Sequence, residues 1–262
     1  MLASLSLRDL AVTYKTSRGP LPALGPISFD VADGEFVAIL GPSGCGKSTL
    51  LKILSGLLRP SGGQSLIGGS VIDKPRPDVG IVFQQPTLLP WKTVRENVLV
   101  PVRVLSLYSE AYSRKCDELL EMVRLSAFAN HYPHELSGGM QQRVAIARGL
   151  IHEPNLLLMD EPFAALDALT REQMTLELQS IWNNTRKSVI FITHSIPEAV
   201  FLADRIVVLS PRPGQIVHTE VVDLPRPRGL ETMTSATFVG ACDRLRRFFA
   251  KTDDAMPAGA TT

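Results

Sequence analysis

Two glycine-rich turns in this chain have the composition to grip anions. The first, Gly41-Pro42-Ser43-Gly44-Cys45-Gly46-Lys47-Ser48-Thr49, matches the phosphate-binding-loop pattern in full. Its glycines let backbone N–H groups close around phosphate oxygens, Lys47 would reach the β- and γ-phosphates of a nucleotide, and Ser48 would offer its hydroxyl to Mg²⁺. The second, Leu136-Ser137-Gly138-Gly139-Met140, opens onto another helix-forming run. A helix start presents free N–H groups and a positive dipole end to an anion. Two phosphate grips in one chain require either two ligands or a partner chain.

Around the first grip stand side chains with the chemistry of phosphoryl transfer. Asp160 and Glu161 end the apolar run Leu156-Leu157-Leu158-Met159, at the carboxyl end of a buried strand, where open α/β sheets place ligands. Asp160 suits a Mg²⁺ shell, and Glu161 is placed to polarise an attacking water. Without the phosphate loop, both would read as solvated turn residues. His194 follows Val189-Ile190-Phe191-Ile192-Thr193 and would emerge on the same edge, within reach of a γ-phosphate; alone it would read as a structural polar residue. Gln84 ends Val79-Gly80-Ile81-Val82-Phe83 in the same way and could ligate Mg²⁺ or water; by itself it is a turn residue. Cys45, inside the phosphate nest, would be drawn towards the thiolate by the N–H groups and Lys47, or else is a small filler.

These residues need a scaffold, and the patterning supplies one. Residues 36–40, 79–83, 156–159, 189–192 and 206–209 are continuously apolar, as expected of strands buried on both faces of a mostly parallel sheet, and helical stretches separate several of them. Residues 5–14 and 27–31 alternate instead, which predicts antiparallel strands with one wet face. Residues 93–151 change to a helical pattern, with Ser109-Glu110 as a cap and Leu119, Leu120, Val123 and Leu125 at helical spacing. Residues 224–229, Leu-Pro-Arg-Pro-Arg-Gly, break regularity, a basic amphipathic stretch spans 244–251, and residues 253–262 read as a disordered tail.

Composition narrows the function. Of 262 residues 45% are hydrophobic, enough for a proper core. The 27 Lys+Arg balance 26 Asp+Glu, so no global field draws the chain to nucleic acid or anionic lipid. The longest apolar runs are far short of the roughly 20 residues that span a bilayer, and residues 1–10 lack the apolar core of an export signal. Three cysteines without a Cys-x-x-Cys pair disfavour a disulfide framework or zinc. His131, His134 and Glu135 fit none of the helical zinc spacings, and Pro133 interrupts them. Arg244, Arg246, Arg247 and Lys251, interleaved with Leu245, Phe248 and Phe249, read as the solvated face of a packed helix rather than a nucleic-acid or membrane surface.

The phosphate loop, Gln84, Leu136-Ser137-Gly138-Gly139-Met140, Leu157-Leu158-Met159-Asp160-Glu161-Pro162, Ala165-Leu166-Asp167 and His194, in this order, resemble the ATP-binding subunit of an ABC transporter. The likeness covers residues 5–224. It implies an α/β P-loop (RecA-like) core with an antiparallel β-subdomain and an inserted helical subdomain at about 93–152. One cassette would then occupy 1–230, with a C-terminal helix and tail over 231–262. It implies ATP and Mg²⁺ as ligands and residues 41–49 as the nucleotide loop. Tyr14 falls where the family stacks an aromatic on adenine, although a strand-end core tyrosine fits the sequence as well.

The resemblance also accounts for two grips. In this family two cassettes face each other head to tail, so that the P-loop of one and Ser137, Gly138 and Gly139 of the other would sandwich one ATP, with Asp167 at the dimer interface. The implied partners are a second copy, transmembrane permease subunits and, indirectly, an extracytoplasmic solute-binding protein, with the cassette lying peripherally on the cytoplasmic face of the cell's inner membrane. Leu88-Leu89-Pro90-Trp91, Met140, the run 163–171, Phe201-Leu202-Ala203-Asp204-Arg205 and Ser210-Pro211-Arg212-Pro213-Gly214 look like importers of the nitrate, sulfonate and taurine group. Ser195 follows His194 where that group usually has Asp, which puts a local hydrogen bond in question. An exporter ATPase and a soluble ABC protein of translation or DNA repair are the alternatives. Soluble relatives usually carry two cassettes or a long coiled coil, and this chain shows one P-loop and no sustained heptads.

Overall fold

The computed structural model of the chain describes residues 4–254, with side-chain surroundings for 4–250. Among the described residues, ten strands and nine α-helices form two sheets and a helical insert. The strands are β1 (Leu5–Thr16), β2 (Gly19–Val31), β3 (Phe36–Leu40), β4 (Gly62–Ile67), β5 (Ser70–Val71), β6 (Val79–Val82), β7 (Leu156–Asp160), β8 (Ser188–Ile192), β9 (Arg205–Leu209) and β10 (Ile216–Val221). The helices are α1 (Lys47–Leu54), α2 (Val94–Val98), α3 (Val100–Val104), α4 (Glu110–Met122), α5 (Gly138–Leu150), α6 (Ala168–Thr185), α7 (Ile196–Leu202), α8 (Leu230–Met233) and α9 (Ala236–Asp254).

The central sheet has the order β10-β9-β3-β8-β7-β6 and is parallel except for β10, which runs antiparallel to β9. Strand β3 and the interiors of β7, β8 and β9 are apolar at every position because both faces are covered. In β3, Phe36, Ala38 and Leu40 join one apolar cluster with α5, α6, α7 and α9, while Val37 and Ile39 join a second with α1, β1 and β2. Successive side chains of β7, β8 and β9 divide the same way. All the functional strand ends predicted at 40, 83, 160 and 193 therefore lie at the carboxyl edge of one sheet.

The antiparallel sheet has the order β2-β1-β4-β5. The alternation over 5–14 and 27–31 belongs to β1 and β2, but β2 begins at Gly19, well before the predicted start. Pro20, Pro22, Gly25 and Pro26 disguise it as loop. As the edge strand it pairs with no strand on its outer side, where the bridge between Leu24 and Gly214 is isolated, and such an edge is where proline is tolerated. Strands β4 and β5 were not foreseen from the sequence. Gly63, at φ +68°, would place a Cβ 2.2 Å from the Asp9 carbonyl, so only glycine lets the two strands bulge past each other there.

The insert over 93–151 is helical as expected. Thr93 and Glu96 form a reciprocal capping box at α2, whereas Ser109 holds the N-cap position of α4 without a side-chain capping bond, so the predicted cap is positional only. Leu119, Leu120, Val123 and Leu125 are buried in the same cluster as the sheet residues Leu157 and Met159. That continuity lets the insert share the sheet's core. In α9, Phe238, Ala241, Cys242 and Leu245 are buried, while Arg244, Arg246 and Arg247 are exposed and Arg244 pairs with Glu220 on β10. The basic stretch is thus a solvated face on a packed helix. Of the predicted tail, 255–262 lies outside the described residues.

Candidate functional site

The loop 41–46 joins buried β3 to α1, and its glycines are demanded by space. Gly46 (φ +106°) would put a Cβ 2.7 Å from the Ala23 carbonyl, and Gly41 would put one 2.8 Å from Cys45 Sγ. Tyr14, Leu21, Ala23, Ser43, Gly44, Gly46, Lys47, Ser48, Thr49, Glu161 and Arg212 line a hollow of about 360 Å³ over this loop. The Lys47 ammonium donates to the carbonyls of Gly41 at 2.8 Å and Pro42 at 3.0 Å. Tyr14 Oη stands 3.2 Å from Thr49 Oγ1. Its side chain lines the hollow and also packs against the apolar cluster of α1, β1 and β2.

At the carboxyl end of β7, burial pushes the pKa of Asp160 up, against the opposing influence of the Ser48 hydroxyl and the charge of Lys47. A serine hydroxyl and a carboxylate are hard oxygen donors, so the pair fits Mg²⁺. Glu161 takes the left-handed backbone region at φ +43°, with its N–H donating to the Ile192 carbonyl at 2.9 Å. A non-glycine residue held there is strained, and the strain turns its carboxylate out of the sheet edge. Glu161 Oε2 lies 3.1 Å from His194 Nδ1, with the histidine the more exposed of the two. The water-polarising and γ-phosphate residues expected from sequence are thus in direct contact.

Cys45 follows the second of the two readings open in the sequence. Its thiol is fully buried, and burial pushes its pKa up despite Lys47, whose Nζ is 4.0 Å from Sγ. Its side chain packs inside the loop as a filler, not as a thiolate. Gln84 follows β6 as predicted but is exposed and lies outside the hollow. The backbone beside it is fixed by Gln142 Nε2, which donates to the Phe83 carbonyl at 3.2 Å.

The second grip stands elsewhere. Ser137 caps α5, its Oγ accepting from Met140 N at 3.3 Å, and Ser137 and Gly138 are exposed. Gly139 is buried, and a Cβ there would meet Thr170 Cγ2 at 2.9 Å. None of the three lines the hollow over the first loop. Asp167 caps α6, accepting from Thr170 N at 3.0 Å and Thr170 Oγ1 at 2.7 Å, and the first of these bonds holds its pKa below the usual range.

A family model described as "ABC transporter" matches residues 24–164. The chain belongs to the ABC transporter family. The cassette is 46% identical over 242 residues to the taurine import ATP-binding protein TauB of Rhizobium johnstonii, covering 90% of this chain and 92% of that one. It is 44% identical over 225 residues to the aliphatic sulfonates import ATP-binding protein SsuB of Bacillus cereus, covering 86% and 88%. Among solved structures it resembles the dimeric post-hydrolysis state of the ATP-binding cassette MJ0796 bound to ADP and Pi, with a TM-score of 0.72 and 35% identity over 86% of this chain and 99% of that one. As a member of this family the cassette is an ATPase that serves transport.

Sequence reasoning gave three members of the hollow, Leu21, Ala23 and Arg212, no role there. Arg212 Nε donates to the Gly44 carbonyl at 3.2 Å, and Gly214 packs so closely that a Cβ would lie 2.0 Å from the Cys45 carbonyl. The β9–β10 turn therefore braces the cassette's phosphate loop. The stretch 210–214 stood out in sequence as a group marker, but its contact with residue 44 is set only by the fold. Ser195 replaces the group's usual Asp and still caps α7, its Oγ accepting from Glu198 N at 3.4 Å. His131 tilts against Phe128 at 5.1 Å between centroids, and His134 stacks on Tyr132 at 5.9 Å.

Proposed function

We propose that the cassette hydrolyses ATP in a composite site made with a second copy of itself, and that this turnover powers import of a small sulfonate- or taurine-like solute through a separate permease. The Glu161–His194 contact at the mouth of the phosphate loop carries the reading. Lys47 and the loop N–H groups would hold the β- and γ-phosphates, and Tyr14 with Leu21 would face the base. Ser48 and Asp160 would hold Mg²⁺, with Gln84 joining them through movement of the exposed segment after β6. Bound Mg²⁺ supplies charge neutralisation at the β- and γ-oxygens. Glu161 would orient the attacking water and accept its proton as the new oxygen–phosphorus bond forms and the bond to ADP breaks. His194 would hold both the carboxylate and the γ-phosphate.

The exposed turn at Ser137 and Gly138 has the helix-start chemistry to close on that phosphate from a partner chain, which a two-fold pair would satisfy twice. Asp167 would lie at the same interface. Exposed Trp91, just before the insert, and Val104, Leu107 and Tyr108 on it would offer apolar surface to permease subunits, which would be fed by an extracytoplasmic binding protein and would hold the cassette at the cytoplasmic face of the inner membrane. The solute class rests on the likeness to the taurine and aliphatic sulfonate import relatives.

The experiment is uptake of labelled taurine and a labelled alkanesulfonate in cells with this coding sequence disrupted. Loss of either, restored by the native chain and not by Glu161→Gln, is expected. Unchanged uptake of both would remove the sulfonate class.

A further inference from the structure

Glu198 follows His194 by four residues on α7, and it is only 7% exposed. Its helix needs no acid there for packing: Ala199, Val200, Phe201 and Leu202 are fully buried and supply the apolar contacts. A carboxylate held in such a place without partners is costly, so its partners say what it does. Oε2 accepts from Thr193 Oγ1 at 2.7 Å, and Oε1 lies 3.8 Å from Arg171 Nε. Burial pushes the pKa of Glu198 up, and the Thr193 bond and the charges of Arg171 and His194 oppose it.

Each partner leads back to the reaction site. Arg171, on α6, donates to three main-chain carbonyls, those of Phe163 at 3.3 Å, Ala164 at 3.4 Å and Leu166 at 2.9 Å. These carbonyls belong to the segment between Glu161 and the α6 cap Asp167. Thr193 Oγ1, besides donating to Glu198, accepts from Ser195 N at 3.0 Å and so brackets His194 from both sides in sequence. The Glu161–His194 contact of 3.1 Å closes the circuit. Glu161, the carbonyls of Phe163, Ala164 and Leu166, Arg171, Glu198, Thr193 and His194 form one ring of contacts, and the Arg171–Glu198 ion pair joins its two halves by charge.

We propose that Glu198 is a positioning residue: by clamping Arg171 on one side and Thr193 on the other, it ties the segment leading to Asp167 to the orientation of His194 against Glu161. It touches neither nucleotide nor water and acts through both neighbours. Closure of a partner chain on the Asp167 segment would then be felt at the water-orienting pair. The inference rests on the reading of Glu161 and His194 as the groups that act on water and γ-phosphate.

The test is steady-state ATPase of the purified full chain for Glu198→Gln, which keeps the shape and removes the charge. Its kcat is expected to fall about tenfold with the KM for ATP within about twofold of native. Arg171→Gln should do the same, and the double variant should lose no more than the worse single one, because both break one link. Thr193→Val should also lower kcat while Thr193→Ser restores it, which keeps the question answerable if the Glu198 variant fails to fold. A native kcat in Glu198→Gln, multiplicative losses in the double variant, or parallel loss of ATP affinity and melting temperature would overturn the proposal. Glu161→Gln and His194→Ala run alongside: native turnover in these sinks the site reading itself, whereas their loss with an unimpaired Glu198→Gln sinks only the present inference.

Discussion

Glu161 sits at the bend where a buried strand ends in a left-handed residue, and its carboxylate meets His194 across the edge of the sheet. Glu161→Gln should leave ATP affinity near native and lower hydrolysis by roughly 10²-fold or more, since only the water-orienting charge is lost; turnover and equilibrium binding, measured together, check it. Lys47→Ala should lose tight ATP binding instead. The placement of these residues was legible from sequence because loop, strand end and acid are local features. The reactivity of Cys45 was not, because N–H groups and Lys47 argue for a thiolate and only the three-dimensional burial shows desolvation winning. Alkylation of the native protein at neutral pH should therefore leave Cys45 unmodified until the chain is denatured, as peptide mass mapping would record; rapid native labelling would contradict the buried placement.

The elements divide by how much of their pattern survives in one dimension. Continuous apolar runs announced β3, β7, β8 and β9 because two separate clusters cover the central sheet. The edge strand β2 was hidden by its prolines, and the Pro-Arg-Pro-Arg segment at 225–228 read as mere irregularity. In the structure Arg228 is 4% exposed, and its guanidinium donates to the carbonyls of Val200, Phe201, Ala203 and Leu224. Burial lowers its pKa to about 10, so it stays charged at neutral pH and neutralises the carbonyl end of α7. Arg228→Ala strands these acceptors and should cost about 3 kcal/mol, seen as a fall in denaturation midpoint with the denaturant slope unchanged. A midpoint equal to native would show that α7 does not depend on it.

At the scale of the whole molecule, the two phosphate grips remain apart within one chain. The hollow over the first loop has no lining from Ser137, Gly138 or Gly139, although all three occupy the start of a thirteen-residue helix with Ser137 and Gly138 open to solvent. A second copy would resolve this separation, and hydrolysis would undo the pairing by removing the γ-phosphate that both chains would grip. The measurement that tests this most directly is sedimentation of the Glu161→Gln chain, which holds ATP without consuming it, with and without saturating MgATP. The expected result is twice the chain mass with ATP, the single mass without it, and the single mass in both conditions once Ser137→Arg is added. A chain that stays single with ATP bound, or pairs regardless of Ser137, would contradict the composite site.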